Sequence, residues 1–290
     1  MSKTNRRNFL QVALASSALA IGGLEVLTSC DINPSKRRFE GMSIPNQEYV
    51  NSYDNHNVFI EEGKAEKICE SVELIKVESS YKELDFLGNN FISDQIYKRS
   101  WHGSGLVMHD DAMNQYILTA GHVAMPEKEL DNYGRKYKLV DTNIFIRHKK
   151  IKLEFIAGEL SDNLDYAYLK TPRNSKLKTM EAKIGNSDIL QRGDFLYAYG
   201  YPYITGQTMT DGKVSCPYHL PPQDENAKKN NDEFMFTSAI SPGNSGGPMF
   251  TTKNGELYLV GICVATYRGA QNLNIATKIN AAFRHINNNV

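Results

Sequence analysis

Net charge is missing from this 290-residue chain, whose 33 lysines and arginines balance 33 aspartates and glutamates. No basic stripe with interleaved aromatics appears that could track a phosphate backbone, so nucleic acid is not an expected partner. Cysteine is scarce, with Cys30, Cys69, Cys216 and Cys263 the only four. None stands in a Cys-x-x-Cys pair or among histidines at metal-ligand spacing, so no metal site is expected. After Cys30 three remain, an odd number that cannot all pair within one chain, and no pair is readable as a disulfide. Long apolar runs are lacking beyond the first 30 residues, which sets aside membrane-spanning classes, and no repeat recurs at a solenoid period. What the chain does have is 41% hydrophobic and 10% aromatic residues, in short runs between polar turns. That is the composition of a β-rich globular protein, and the length suffices for one large unit or two small domains with real cores.

The N-terminus reads as an address. An arginine pair (Arg6-Arg7) precedes an apolar stretch from Val12 to Leu27, and small residues then lead to Cys30. The stretch contains Glu25 and is shorter than the ~20 apolar residues a spanning helix needs, so residues 1–29 are expected to be an export signal. Arg6-Arg7-Asn8-Phe9-Leu10 resembles the twin-arginine motif of a route that carries folded proteins. Leu27-Thr28-Ser29-Cys30 resembles a lipobox, which makes Cys30 the expected lipidation site, the membrane anchor and the new N-terminus. The expected location is the bacterial cell envelope, on the periplasmic side of a membrane or the cell surface. Loss of three basic residues and one acidic residue with the signal takes the balanced chain to a net charge of −2.

Residues 30–63 are rich in Asn, Ser, Pro and charge without sustained periodicity, and are expected to form a linker; the alternative is an arm packed on the body. Strand-type runs follow at Ser71–Glu78, Gly105–His109, Tyr116–Ala120, Asn143–His148, Lys152–Ala157 and Tyr166–Lys170. A second set comprises Phe195–Tyr199, Glu233–Ser238, Pro248–Thr252, Leu257–Cys263 and Asn274–Thr277. Turn-separated short strands predict an all-β barrel or sandwich, with a first unit over 64–175 and a second over 176–290. Pro221–Asp232 reads as a polar loop. Ile279, Ala282, Phe283 and Ile286 share one face of a short helix predicted over Lys278–Ile286.

Three segments carry chemistry. In Ser241-Pro242-Gly243-Asn244-Ser245-Gly246-Gly247-Pro248, glycines free the backbone around one serine. A nucleophilic serine needs a tight turn and amide donors aimed where a carbonyl oxygen becomes negative, and Gly243 and Ser245 can supply those donors. The plain alternative is a Gly/Pro turn between strands. Tyr116-Ile117-Leu118-Thr119-Ala120-Gly121-His122-Val123 runs an apolar strand into a histidine suited to act as general base near neutrality. Asn163-Leu164-Asp165-Tyr166-Ala167-Tyr168-Leu169 places an aspartate at the head of an alternating strand, where it could fix the imidazole tautomer. Asp162 is its nearest rival, though a Ser-Asp-Asn turn usually occupies its aspartate with local backbone.

The order His, Asp, Ser and the motifs TAGHV, DYAYL and GNSGGP resemble the chymotrypsin/trypsin superfamily, particularly its bacterial HtrA-type and glutamyl-endopeptidase branches. The resemblance runs from about Ile68 to Thr277 and includes the segments GSGLVM and GDFLYAYGYP. It implies two six-stranded antiparallel β-barrels with a short C-terminal helix. His122 and Asp165 would come from the first barrel and Ser245 from the second. It implies a serine endopeptidase acting on peptides or proteins through an acyl-enzyme without a cofactor. By family position Ala239 would lie at the base of the specificity pocket and Cys263, Val264, Ala265 and Thr266 along a wall. No acid stands there to pair Lys or Arg, so a small or medium apolar preference is expected. Only 45 residues follow Ser245, too few for the PDZ domain usual in HtrA-type enzymes, so none is expected. The rival reading is a silent protease fold kept as a lipid-anchored peptide-binding module.

Overall fold

In the computed structural model, which describes residues 47, 50–55, 60, 63–85, 87–88, 90–219, 229–267 and 270–289, two sheets close on themselves. The first takes β1 (Val72–Leu84), β2 (Phe91–Asp110) and β3 (Asn114–Thr119), then β4 (Glu129–Asn132), β5 (Arg135–Ile146), β6 (Ile151–Leu160) and β7 (Asp165–Pro172). The order β1-β2-β3-β7-β6-β5 is closed by antiparallel pairing of β5 with β1, where Ile75 faces Ile146, and β4 hangs on β5 as a hairpin. Closure leaves no edge within the barrel and turns a row of aliphatic side chains inward. Ile75, Val77, Ile117 and Ile146 share one face of the sheet, Leu106 and Leu118 lie on the other, and all are fully buried.

The second sheet holds β8 (Lys183–Ile184), β9 (Phe195–Gly200), β10 (Thr208–Cys216) and β11 (Glu233–Phe236), with β12 (Pro248–Lys253), β13 (Glu256–Thr266) and β14 (Asn274–Lys278). Its order β9-β10-β11-β14-β13-β12 closes by β12 pairing back onto β9, and β8 adds parallel to β13. Asn254 and Gly255, at φ of 53° and 79°, join β12 to β13. Two consecutive positive φ values are what a tight hairpin of the right twist demands, and Asn-Gly meets that need at low steric cost. Leu196, Phe234, Phe236, Met249 and Val260 fill this barrel. A larger apolar cluster runs from the first barrel through Tyr199, Phe250 and Ile262 of the second. The two six-stranded barrels therefore share a core.

Among the described residues there are three α-helices, α1 (Lys64–Ser71), α2 (Gly121–Ala124) and α3 (Ile279–Asn289), and two single 3-10 turns, Ser187–Ile189 and Pro202–Ile204. The terminal helix buries Ile279, Ala282, Phe283 and Ile286, the face its sequence predicts. The all-β expectation of two six-stranded antiparallel barrels with a short C-terminal helix holds. Not every strand is visible in the sequence. β10 exposes Met209, Asp211 and Lys213 in alternation but has too few apolar residues to mark its covered face, and the Phe91–Ser100 half of β2 is open on both faces, so neither shows an apolar alternation in sequence.

Inside the segment 30–63, residues 50–55 lie as an arm on the second barrel. Val50 and Tyr53 are buried. Asp54 donates its N–H to Thr252 O at 2.9 Å and accepts from Phe195 N–H at 2.8 Å. Two apolar anchors three residues apart suffice to dock an otherwise polar segment. The signal segment, Cys30 and most of the Pro221–Asp232 loop lie outside the described residues. Cys69, Cys216 and Cys263 are free thiols.

Candidate active site

β3 delivers the histidine. Its buried run Ile117-Leu118-Thr119 ends at the extended Ala120, and the single turn α2 then places His122, only 8% exposed, against the head of β7. Gly121 is required by the approach. A Cβ there would lie 2.4 Å from Glu159 O and 3.0 Å from Asp165 Oδ1. Trp101 holds the helix from β2 by donating its indole N–H to Val123 O at 2.8 Å.

Asp165, 1% exposed, spends both carboxylate oxygens on the histidine. Oδ2 accepts from His122 Nδ1 at 2.7 Å and Oδ1 accepts from the His122 backbone N–H at 3.0 Å. A carboxylate only accepts, so the ring proton sits on Nδ1 and Nε2 keeps a free lone pair. The second barrel reinforces the arrangement, because Thr277 Oγ1 donates to Asp165 O at 2.9 Å. Asp162, the rival, is exposed in the turn before β7.

The serine loop is pinned almost wholly through its carbonyls. Ser241 O accepts from Asn244 N at 3.0 Å, Pro242 O from Tyr203 N at 2.7 Å, Asn244 O from Gly247 N at 2.8 Å and Ser245 O from Ser104 N at 2.7 Å. Gly243 O accepts from Ser104 Oγ at 2.7 Å. Among the described residues no acceptor engages the amide N–H of Gly243 or of Ser245. In a trans peptide the C=O and N–H point opposite ways, so anchoring Pro242 O and Asn244 O turns those two amides to the other side of the loop. Gly103 lies between the two halves of the site: a Cβ there would be 2.6 Å from Val123 Cγ2 and 2.8 Å from Ser245 O.

Gly246 is the tightest joint. At φ 82° its missing Cβ would fall 2.1 Å from Thr119 Oγ1 and 2.3 Å from Ser104 O, so an alanine faces torsional strain and collisions with a buried threonine hydroxyl and a backbone carbonyl. Gly246→Ala is expected to lower Tm by several degrees, corresponding to ~2 kcal/mol or more, and to lower turnover with it. Calorimetry beside a peptide-cleavage assay checks this, and unchanged Tm and rate would contradict the packing described.

The residues expected around the specificity pocket are not all used as side chains. Ala239 is exposed, with its carbonyl accepting from Thr210 Oγ1 at 2.8 Å. Val264 is buried, and Ala265 and Thr266 are half-buried along β13. The Cys263 side chain points into the barrel core, its thiol 3.1 Å from Met249 Sδ, and burial pushes that thiol up to about 12. Its backbone, not its side chain, meets the serine loop: its N–H donates to Gly247 O and its carbonyl accepts from Gly246 N, each at 2.8 Å. Two residues escape the motif reading. Asn274, 2% exposed, donates to Ser238 O at 2.7 Å under Ala239, and Ser104 binds the serine loop twice; both contacts join segments far apart in the chain.

Comparison with known proteins follows the same lines. Residues 103–262, more than half of the chain, match the trypsin-like peptidase domain family. The chain is 31% identical over 168 residues to a probable periplasmic serine endoprotease, DegP-like, of Buchnera aphidicola subsp. Baizongia pistaciae, spanning 58% of this chain and 31% of that protein. It is 29% identical over 187 residues to the periplasmic pH-dependent serine endoprotease DegQ of Escherichia coli (strain K12), spanning 63% of this chain and 35% of that one. The chain thus spans about a third of the length of these relatives. Among solved structures, the HtrA-type protease AlgW with decapeptide superposes with a TM-score of 0.51 at 20% identity, covering 78% of this chain and 66% of that one, a likeness of fold.

Proposed function

Because the chain belongs to the trypsin-like peptidase domain family, we propose that it is a serine endopeptidase in which Ser245 is the nucleophile, His122 the general base and Asp165 its orienting acid. The observation that carries this reading is the double bond-pair from Asp165 to the ring and backbone of His122, facing a serine loop with two unengaged amides. His122 Nε2 takes the Ser245 proton as Oγ attacks the peptide carbonyl, and the imidazolium is stabilised by the buried carboxylate. The developing oxyanion is received by the N–H groups of Gly243 and Ser245. His122 then returns the proton to the leaving amine, the C–N bond breaks, and water deprotonated by the same histidine releases the acyl group from Ser245. These steps use side chains and backbone of this chain alone.

The substrate class is a peptide or protein, in keeping with relatives named as endoproteases. A site of this kind on a chain with a twin-arginine segment and the Leu27–Cys30 lipobox fits an exported protein on the periplasmic side of a membrane, tethered by lipid at Cys30. Among the described residues no helix is long and apolar enough to cross a membrane.

The test is labelling of the folded chain by a fluorophosphonate, with the adduct mapped to Ser245 and with peptide products identified by mass. The same mass readout on a peptide library reports specificity. Ala239, Val264, Ala265 and Thr266 carry no charge, so cleavage is expected mainly after small or medium apolar residues. Cleavage mainly after Lys or Arg would require an acid that these positions do not provide, and would overturn the assignment of the pocket.

A further inference from the structure

Ser104 sits at the barrel seam, fully buried, in β2, and each of its polar groups is spent near the serine loop. Its N–H donates to Ser245 O at 2.7 Å. Its carbonyl accepts from Thr119 Oγ1 at 2.7 Å. Its hydroxyl accepts from Tyr201 N–H at 2.9 Å and donates to Gly243 O at 2.7 Å. The hydroxyl is thus a one-atom bridge from the first barrel to two separate segments of the second: the 201–205 turn between β9 and β10, and the loop that carries the serine.

Those two segments also meet each other directly. Tyr203 N–H donates to Pro242 O at 2.7 Å, which is the bond that turns the Gly243 amide toward the site. The turn that provides it is held in an unfavourable shape, with Tyr203 at φ 49° and Ile204 at φ 62°. Consecutive left-handed residues are rare, and a β-branched one there is a steric outlier that persists only when its surroundings over-determine it. The turn does not bind deeply: Tyr203 is 63% exposed. Its start is held through backbone by Ser104 Oγ and through the Tyr201 hydroxyl donating to Val72 O at 3.3 Å, and what it presses against is Gly243, where a Cβ would be 2.3 Å from Tyr201 O and 3.1 Å from Tyr203 N.

We propose that Ser104 is a positioning residue for catalysis, whose hydroxyl clamps the strained 201–205 turn to the Gly243 peptide and thereby keeps the Gly243 amide aimed at the oxyanion. Nothing of Ser104 touches substrate. Without the hydroxyl, Tyr201 N–H and Gly243 O lose a buried partner, the turn is free to relax from its left-handed shape, and the Pro242–Gly243 peptide loses the bond that orients it. The oxyanion donor is then present on average in the wrong direction. Because the effect falls on the transition state, it lowers kcat and leaves ground-state binding alone.

The inference rests on the endopeptidase reading above. Ser104→Ala is compared with wild type after active-site titration by fluorophosphonate burst, so that rates refer to sites able to react. Expected is a fall in kcat per titrated site of about tenfold or more, a fraction of the ~10²–10³ that loss of a whole oxyanion donor costs. KM should stay within about twofold, the pH midpoint of kcat/KM should be unchanged, and affinity for a peptide boronate should fall with kcat. A merely structural serine would lower the titratable fraction or Tm and leave kcat per site as in wild type; that result, or a loss confined to KM, overturns the proposal. Ser104→Gly also lacks the hydroxyl and serves if the alanine variant does not fold. An inert wild type would remove the endopeptidase reading itself, whereas an active wild type with an undiminished Ser104→Ala removes only the role of Ser104.

Discussion

Ser245→Ala is expected to fold normally, to take up no fluorophosphonate and to cleave peptides about 10⁶-fold more slowly, close to the background that binding and the oxyanion donors alone sustain. The structure separates the fold from the chemistry at this position. Every described bond that anchors the loop around residue 245 uses backbone atoms or the hydroxyl of Ser104, and the Ser245 side chain supplies none of them. Losing one oxygen from a half-buried side chain with no structural partner should change stability by about 0.5 kcal/mol or less. Matching circular dichroism and Tm, together with lost labelling and lost turnover, is the result that identifies the nucleophile. Retained cleavage in the variant would move the nucleophile elsewhere. Peptide binding by an unlabelled wild type would favour a recognition module built on the same fold.

Asp165→Asn should be nearly as damaging, lowering kcat by about 10⁴ while leaving the fold in place. The reason is a count of acceptors. His122 presents two donors to residue 165, its backbone N–H and its Nδ1–H, and the carboxylate meets both. An asparagine offers one oxygen and one NH₂ group. If the oxygen keeps the backbone N–H, the NH₂ donates to Nδ1, and the ring proton must move to Nε2, where it blocks acceptance of the serine proton. If the amide flips, its NH₂ opposes a buried N–H with no acceptor nearby. Either way the working tautomer is lost or an interior donor is stranded, at a cost of ~1–3 kcal/mol for the unpaired group. Nitrogen NMR of the imidazole should report the Nε2–H form, and peptide kinetics the loss of rate; a variant within tenfold of wild type would show that Asp165 does not set the tautomer.

Much of this site is legible in the sequence because it is written in short local segments. An apolar strand delivering His122, a strand headed by Asp165 and a glycine-crowded Ser245 each need only a few neighbouring residues to make physical sense, and hydrophobic spacing finds most strands of both barrels. What escapes is long-range. Ser104 looks like any small residue between two glycines, and its bonds to Tyr201 and Gly243 exist only once the barrels meet. Cys263 sits at a position where a wall was expected, but the pleat of β13 sends its thiol to Met249 inside the barrel; a shift of one residue along a strand exchanges its two faces, and family position alone does not settle which face is used. Val50 and Tyr53 dock a segment whose composition reads as a linker, since two buried side chains outweigh a polar average. The outer half of β2 carries no inside-outside rhythm because both its faces meet water, and β10, though alternately exposed, covers its inner face with small and polar residues that leave no apolar pattern.

The seam between the barrels is also where the two halves of the proposed site come together. His122 and Asp165 belong to one closed sheet and Ser245 to the other, and the bonds that cross, Ser104 to Ser245 and Thr277 to Asp165, form only when both are complete and docked. A chain with one barrel folded holds the proposed base without the proposed nucleophile, or the reverse. Under the proposed assignment the newly made polypeptide therefore has no assembled site of its own until both barrels have closed and docked.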